Sequence, residues 1–401
     1  MRLIAFLYLV HFLRHGMVFP YIPLYAKDLG ATASDIGLII SLFAMLSVFL
    51  SLPVGQLCEK MSTKLMLVFG VSGNIAYSLM LFITQDLWFL CLTQVVGGVS
   101  FLFLILSSQT YISKLQDTRV REKGFGGMSF TAAGGQTLGP FLGGYLSSCF
   151  DIQTVFLWAF FLSFLGLSVF GLKEKKPQQS NIRGFFQDQP LQKVGNLMAD
   201  RGFVAILLFG FVVLFAVSLR SSFLPLLIKE KGFSEETIGF LFSIFAFAMT
   251  GIRVFMGKAF AFFSRKTFLI VSLAAVLIGI GGVVQVGNIF GLVTLFLVFG
   301  LGFGISQPLS MVMTADVSSY ETAGLAMGMR FTTIALATFS SPLIFGWVVS
   351  CFGLNWAFFF AAGLVLLGGG LITWLFWNEV VLKRCIFLEI KMQAKRRMIC
   401  A

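Results

Sequence analysis

The sequence predicts an all-α integral membrane protein with twelve transmembrane helices in two pseudo-symmetric six-helix bundles, and three observations support this. First, 58% of the 401 residues are hydrophobic and only 11% are charged. Second, long apolar runs recur along the chain with short polar breaks between them. Third, the second half of the chain repeats the first at a constant separation. No soluble core needs so much apolar surface, so a bilayer must surround most of the chain.

The apolar runs are long enough for helices that cross a membrane. About 20 apolar residues suffice, and a helix satisfies its own backbone hydrogen bonds in the hydrocarbon layer. The first run has Arg14 and His15 near its centre and no small-residue cleavage site after it, so we interpret it as a retained helix and not as a signal peptide. The predicted spans are 3–25, 36–56, 65–84, 87–109, 124–148, 152–172, 203–228, 237–258, 267–286, 289–313, 324–350 and 354–378.

The basic residues predict the orientation. Of the 29 lysines and arginines, 22 fall in the N-terminus, the even-numbered connections and the C-terminal tail when Lys258, the last residue of span eight, is counted with the connection that follows it. The opposite loops hold 3 and the spans hold 4. Cytoplasmic loops carry such an excess, so both termini of a multi-pass protein of the cytoplasmic (inner) membrane are expected in the cytoplasm. The net charge of +12 is then explained by topology, and no nucleic-acid partner is expected.

An internal repeat connects the two halves. Matching residues are always separated by 202 positions: Pro23 and Pro225, Lys27 and Lys229, Gly30 and Gly232, Gly37 and Gly239, Gly55 and Gly257, Lys64 and Lys266, Gly126 and Gly328, Pro140 and Pro342. This pattern predicts a parallel duplication of a six-helix unit.

The domain organisation follows from the repeat and the polar segments. We predict an N-terminal bundle over 1–172, a cytoplasmic linker over 173–202, a C-terminal bundle over 203–378 and a basic cytoplasmic tail over 379–401. The tail is expected to lie along anionic membrane lipids as an amphipathic segment.

The connection between spans two and three carries a motif. The sequence GQLCEKMSTK, residues 55–64, resembles the loop signature G-x-L-x-D-R-x-G-R-K of the major facilitator superfamily, with Glu59 in place of the Asp. The resemblance covers essentially the whole chain, and it implies the major facilitator fold and a conformational latch formed by Gly55, Glu59, Lys60 and Lys64. The alternative is a charged turn that only obeys the charge rule for cytoplasmic loops. The second copy of the motif has Ala261 at the acidic position.

Span five carries the glycines of a second motif. Their spacing resembles the antiporter signature of this superfamily at Gly126, Gly135, Gly139, Pro140, Gly143 and Gly144. Glycines four residues apart let a second helix approach closely, and proline removes one backbone hydrogen bond. The resemblance implies the 12-span drug/metabolite:proton antiporters, and thus export. A generic packing face of small residues is the alternative.

Ionisable residues inside spans are costly, and those of spans one and seven indicate a binding site. In the superfamily these spans line the central cavity, so Arg14 and Arg220 are expected on opposite walls of one pocket that would bind an anionic group. Arg14 could instead pair with backbone carbonyls and water, and Arg220 could extend towards the membrane surface. No Asp or Glu lies inside any span to neutralise them.

The expected proton carriers are less clear. Relatives commonly have an acid in span one and an arginine four residues before a glycine in span four, but here Thr93 precedes Gly97. His11 and His15 are therefore the candidates, because imidazole titrates near pH 6.5. Hydrogen-bonded histidines without such a role are the alternative.

Further polar residues complete the predicted site. Gln94, Gln136 and Gln307 lie on spans expected to line the cavity, and Gln307 precedes Pro308, where backbone carbonyls could be exposed. Arg253, Arg330 and Asp316 are interpreted as structural charges, with Asp316, Glu122 or lipid phosphate as partners of the arginines. Phe103, Phe130 and Phe303 are candidates for an apolar pocket wall.

The function predicted from all this is secondary active export of a small amphipathic organic molecule, with an anion as one option, by proton-coupled alternating access. Import of an organic anion or nutrient, or a transport-dead sensor or assembly protein, are the alternatives. No enzyme is expected, because the sequence has no GxxxxGK[ST] loop and no recognisable catalytic frame, and its six cysteines are scattered without metal-site or disulfide spacing. We expect no cofactor, since the proton gradient supplies energy, and a monomer in contact with lipids and protons.

Overall fold

The computed structural model describes residues 2–113, 118–167, 190–318 and 323–377, and every regular element in these ranges is helical. The N-terminal half contains α1 (Arg2–Val18), a 3-10 turn (Phe19–Tyr21), α2 (Ile22–Asp28), α3 (Ala33–Lys60), α4 (Thr63–Ile83), α5 (Leu87–Ser113), α6 (Thr118–Cys149) and α7 (Ile152–Phe164). A short helix, α8 (Pro190–Ala199), precedes the second half.

The second half repeats this order. It contains α9 (Arg201–Ser222), α10 (Leu224–Glu230), α11 (Glu235–Phe262), α12 (Arg265–Gln285), α13 (Ile289–Val317), α14 (Ala323–Phe352) and α15 (Leu354–Trp377). The bounds of α10, α11 and α12 lie 202 residues after those of α2, α3 and α4. The constant separation found in the sequence is therefore also the separation of the helices, which confirms two pseudo-symmetric bundles.

Twelve transmembrane helices are present, as predicted. Ten helical stretches within the described ranges are long and apolar enough to cross a membrane, and α1 and α2 together form the first of them. The other two are α6, whose 32 residues include many glycines, serines and threonines, and the apolar stretch Ile152–Leu167. Residues 173–189 of the predicted linker and the predicted tail, 379–401, lie outside the described residues, so the domain limits stay a prediction.

The helix starts show why the two halves fold alike. A side-chain oxygen at the N-cap accepts a backbone N–H of the first turn and so satisfies one of the donors that a helix leaves unpaired. These N-caps occur in pairs at the same separation: Thr32 and Ser234, Ser62 and Ser264, Asp86 and Asn288. The local signals that start these helices have been kept in both copies.

The turns after α2 and α10 are equivalent as well. Gly30 and Gly232 have φ of 85° and 84°, and their N–H groups donate to the carbonyls of Lys27 and Lys229. Only glycine adopts this left-handed conformation without steric cost, so both turns require it.

The two halves meet at two pseudo-equivalent helix crossings. In the crossing of α3 with α14, Gly37 lies against the carbonyl of Pro342 and the Cα of Gly346. In the crossing of α11 with α6, Gly239 lies against the carbonyl of Pro140 and the Cα of Gly144. A side chain at either glycine position on α3 or α11 would collide with backbone, so these glycines allow the halves to touch.

Polar contacts between the halves lie at the same end of the molecule, which we call the gate end: the turns after α2 and α10 and the adjoining ends of α3, α6, α11 and α14. Lys27 Nζ lies 3.1 Å from a carboxylate oxygen of Glu230, and the hydroxyls of Ser34 and Ser350 are 2.9 Å apart. Glu235 accepts a hydrogen bond from Ser147 of the other half and forms an ion pair with Lys229 at 2.6 Å. The halves are thus closed against each other at the gate end.

Candidate functional site

A cavity of about 260 Å³ lies between the two halves. It is lined by α1, α5 and α6 of the first half and by α9, α11 and α13 of the second. Six phenylalanines form much of its wall, and its polar groups are the guanidinium of Arg220, the imidazole of His15 and the amide of Gln136. No carboxylate is among the described residues that line it.

Arg220 is the cation of this cavity. Its Cζ lies 4.4 Å from the ring centre of Phe245 and 5.1 Å from that of Phe242, both on α11. Its Nε is buried without a hydrogen-bond partner, and the structure gives the side chain no ion pair within the described ranges. The ring faces attract the guanidinium, but they do not replace an anionic partner.

His15 faces the cavity from α1 and contacts aromatic rings. The centre of its imidazole is 4.7 Å from that of Phe19, 5.4 Å from that of Phe101 and 5.6 Å from that of Phe43. None of the hydrogen bonds described for this chain involves its ring nitrogens. They are therefore available to a ligand or to water in the cavity.

Gln136 enters the cavity from α6, one turn before Pro140. Because proline has no N–H, the carbonyl of Gln136 lacks its usual partner in the helix. The carbonyl of Pro140 accepts a hydrogen bond from the Tyr21 hydroxyl at 3.1 Å, which ties this part of α6 to the turn after α1.

Arg14 does not lie on the cavity wall, and the expected pairing of Arg14 and Arg220 across one pocket is wrong. Arg14 is only 1% exposed and points into the first bundle, where it donates to Asn74 Oδ1 at 2.9 Å and to Ser78 Oγ at 3.4 Å. Its Cζ lies 5.1 Å from the ring centre of Tyr77. Sequence analysis missed these partners, although polar residues four apart on an apolar helix were a usable signal.

Two other predicted residues share this buried region. His11 Nδ1 is 3.2 Å from the amide nitrogen of Asn74, and its ring stacks on that of His15 at 6.3 Å. Gln94 is fully buried with both amide atoms unpartnered, and it does not line the cavity.

Of the residues predicted around the pocket, the structure brings together Arg220, His15, Gln136 and Phe303. Phe130 is exposed on the outside of α6.

Gln307 and the structural charges of the second half also differ from expectation. Arg330 donates to Ser310 Oγ at 2.6 Å and to Gln307 Oε1 at 3.2 Å, so Gln307 binds a side chain of the protein and not the cavity. Asp316 forms an ion pair with Arg265 at 3.3 Å, which corrects its expected pairing with Arg330 or Arg253. Arg253 is exposed and has no ion pair with any residue that the structure describes.

Only one of the four residues of the predicted latch, Lys64, has a described side chain. The backbone of α3 continues to Lys60, but the structure does not describe the side chains of Glu59 and Lys60 or the surroundings of Gly55. Lys64 is half-buried in the first turn of α4. The latch therefore stays a prediction.

The glycines of the span-five motif contact two helices. Gly135 and Gly139 lie against the backbone of α1 at Leu13, and Gly143 lies against the carbonyl of Met17. Gly144 lies against α11 of the other half, at the carbonyl of Glu235. A methyl group added at Gly126 would meet no atom within 4 Å, so the close packing expected from the motif is present at four of its five glycines.

A bundle of twelve membrane helices in two similar halves around a central cavity is the architecture of a membrane transporter. The sequence model of the Major Facilitator Superfamily matches residues 4–223 and 206–385, so the chain belongs to this superfamily. It is a transporter and not an enzyme.

Relatives and solved structures agree with this assignment. Quinolone resistance protein NorA of Staphylococcus aureus (strain COL) is 26% identical over 346 residues, which cover 84% of this chain and 86% of the relative. Multidrug resistance protein 1 of Bacillus subtilis (strain 168) is 24% identical over 379 residues, covering 91% and 93%. The crystal structure of the nucleoside transporter NupG is 14% identical, covers 94% and 99% of the two chains and has a TM-score of 0.78, which establishes a shared fold.

Proposed function

We propose that this chain is a proton-coupled exporter of a small amphipathic organic molecule that works by alternating access. The observation that carries the proposal is the cavity between the halves, closed at the gate end by two pseudo-equivalent glycine crossings. Such crossings can separate while the opposite end closes, because each half is packed around its own helices. Export is favoured by the names of the relatives, a quinolone resistance protein and a multidrug resistance protein.

The residues of the site take distinct roles in this proposal. Arg220 and Gln136 bind the substrate, and the aromatic wall covers its apolar part. His15 exchanges a proton with the cavity, and His11, stacked behind it, tunes that exchange through its contact with Asn74.

The orientation in the membrane follows from the basic residues. With both termini in the cytoplasm of the cytoplasmic (inner) membrane, the gate end faces outwards and the cavity takes its substrate from the inner side. The protein acts as a monomer surrounded by lipid.

Transport by everted membrane vesicles tests the proposal. Vesicles from cells that overexpress the chain should accumulate a fluorescent amphipathic probe when the lumen is acidified, and a protonophore should abolish this accumulation. Vesicles from cells with an empty vector are the control. A rate equal to that control, with folded protein present in the membrane, would contradict proton-driven export.

Cysteine labelling tests the orientation independently. Cys149 and Cys351 are exposed near the gate ends of α6 and α14. A membrane-impermeant maleimide added to intact cells should label the wild-type chain and not the Cys149→Ser/Cys351→Ser variant. Labelling of wild type only after the cells are opened would reverse the assigned orientation.

A further inference from the structure

The charge balance around the cavity is the starting point of the inference. Arg220 brings a positive charge between the two halves, and none of the lining residues within the described ranges carries a negative charge. Its neighbours Phe242 and Phe245 contribute only a cation–π attraction, which is weaker than the cost of placing an unpaired charge at membrane depth. The site is therefore electrostatically incomplete without an anion.

The other two arginines in the spans of the second half add to the positive charge near the cavity. Among the residues that the structure describes, the hydrogen-bond partners of Arg330 are neutral: Ser310 Oγ and the side-chain and backbone oxygens of Gln307. Arg253 follows the cavity residue Met249 by four positions on α11, which places it on the same face of the helix one turn further on. Positive charge thus extends along the second half, and a cationic ligand would be repelled along this path.

The wall of the cavity specifies the rest of the ligand. Phe12, Phe19 and Phe101 face Phe242, Phe245 and Phe303 across it. Flat aromatic surfaces of this kind favour stacking with an aromatic ring. The guanidinium, held against the rings of α11, can present parallel N–H donors to a carboxylate, the geometry in which arginine binds most strongly.

The volume limits the size of the ligand. About 260 Å³ is below the roughly 300–1,000 Å³ of sites for drug-sized molecules and above the roughly 150 Å³ that holds one benzene. One or two rings fit into this space.

From these four features we infer that the cavity is a subsite for a small aromatic carboxylate of one or two rings, with the carboxylate on Arg220 and the rings against the phenylalanine wall. The inference rests on the proposed function, since it specifies the substrate class of the same cavity. Neither the size nor the charge of the ligand follows from export alone.

Equilibrium binding to the purified full-length chain in lipid nanodiscs tests the inference without any gradient. The probes are 2-naphthoate, its neutral analogue 2-naphthamide and the cation 2-naphthylmethylammonium, measured by calorimetry. We expect 2-naphthoate to bind at least tenfold more tightly than the amide, and the ammonium compound to bind more weakly than both. Equal binding of the carboxylate and the amide by wild type would overturn the inference.

Variants assign the preference to Arg220. In Arg220→Gln the affinity for 2-naphthoate should fall to that of 2-naphthamide, and Arg220→Lys should keep a reduced preference because it keeps the charge without the planar fork. Phe101→Leu, which removes a ring of the wall that does not contact Arg220, should weaken both ligands and leave their ratio unchanged, and Arg220→Lys is the charge test if Arg220→Gln does not fold. Arg265→Gln, which removes an arginine paired with Asp316 away from the cavity, is the matched control and should bind as wild type does. A preference that survives in Arg220→Gln would contradict the assignment.

Two further measurements test the size limit of the ligand and distinguish a failure of the subsite from a failure of the proposed export. 1-Pyrenecarboxylate, with four rings, should bind at least tenfold more weakly than 2-naphthoate, and equal binding would refute the size limit. Anion preference in nanodiscs without proton-driven accumulation in vesicles would support the subsite and contradict the exporter. Proton-driven accumulation without anion preference would do the reverse.

Discussion

The two halves of this transporter share one set of helix positions but use different contacts at equivalent places. Gly139 of α6 lies against the carbonyl of Leu13 in α1, and 202 residues later Ser341 of α14 donates a hydrogen bond to the carbonyl of Phe215 in α9 at 2.7 Å. In the first half the helix backbones touch, whereas in the second half a side chain connects them. The duplication has kept the positions of the contacts and changed their chemistry.

The arginines of the first helix in each half show the same divergence. Arg14 is equivalent to Ala216, and Arg220 is equivalent to Val18, so the two arginines are displaced by four residues. Four residues rotate a helix position by about 40° and move it by about 6 Å along the axis. Positions four residues apart lie on nearly the same face of a helix. Arg14 nevertheless points into its own bundle, whereas Arg220 points into the cavity between the halves. The second half therefore supplies the charge of the site, and the first half supplies its closely packed helix pair.

The largest effect is expected from filling the glycine contact of the first half. Gly139→Leu places a side chain where the backbone of α1 passes, and since backbone cannot move aside as a flexible side chain can, the two helices must separate. We expect little folded protein, measured as the monodisperse fraction in size-exclusion chromatography.

Gly126→Leu is the matched control, because Gly126 is exposed and a Cβ atom added there meets no atom within 4 Å. It should fold like wild type. Equal yields for the two variants would show that the close contact of α1 and α6 is unimportant for folding.

The next largest effect tests whether the two crossings between the halves must open. Ser34→Cys/Ser350→Cys, in a cysteine-free background, should form a disulfide across the crossing of α3 and α14, since the two hydroxyls are 2.9 Å apart. Oxidation should stop transport, and a reducing agent should restore it. Each single-cysteine variant is a control that oxidation should leave active. Undiminished transport by the crosslinked protein would contradict alternating access at this end.

The third prediction separates the volume of Arg14 from its charge. Arg14→Ala opens a cavity in the first bundle and should lower the free energy of unfolding by about 2–4 kcal/mol. Arg14→Met keeps most of the volume, and the lost hydrogen bonds to Asn74 and Ser78 are offset by removal of a buried cation, so its change should stay within about 1 kcal/mol. Thermal unfolding in detergent measures both. Equal destabilisation by the two substitutions would show that the charge of Arg14, not its volume, stabilises the bundle.

The smallest effect is expected at the gate end, where the two crossings differ. Glu235 contacts Ser147 and Lys229, whereas its equivalent in the first half is Ala33. Because this ion pair is partly exposed, Glu235→Gln should cost about 1 kcal/mol or less. The population closed at the gate end then falls by up to about fivefold relative to the open one.

The rate of the Ser34–Ser350 crosslink measures this shift. Formation of the disulfide should slow in Glu235→Gln, by at most about fivefold, and it should be unchanged in Glu236→Gln, which removes a charge from the same first turn. The reverse ranking of the two variants would contradict a role of Glu235 in closing the gate.

Much of the fold could be predicted from the sequence because it depends on local and periodic signals. Apolar runs indicate the spans, N-caps start them, and the separation of 202 residues identifies Gly37 and Gly239 as equivalent before their contacts are known. The glycine spacing of span five likewise predicts close helix packing, with the exception of Gly126.

The candidate site was predictable only in part, since it depends on the direction of individual side chains. Arg14 and Arg220 both stand on helices that border the cavity, but Arg14 binds Asn74 and Ser78 inside its own bundle, whereas Arg220 points into the cavity. Gln307 and Asp316 bind arginines that sequence spacing does not identify as their neighbours, Arg330 and Arg265. The aromatic neighbours of Arg220 were hidden among 49 phenylalanines, where composition carries no information about position.

The most direct test of the asymmetry between the halves compares Arg14→Met with Arg220→Met in proteoliposomes. Proton-driven transport of 2-naphthoate is measured for each variant and divided by the amount of folded protein. We predict that Arg14→Met keeps at least half of the wild-type rate and that Arg220→Met loses more than tenfold. A loss of transport in Arg14→Met with a normal rate in Arg220→Met would contradict the conclusion that the second half provides the charge of the site.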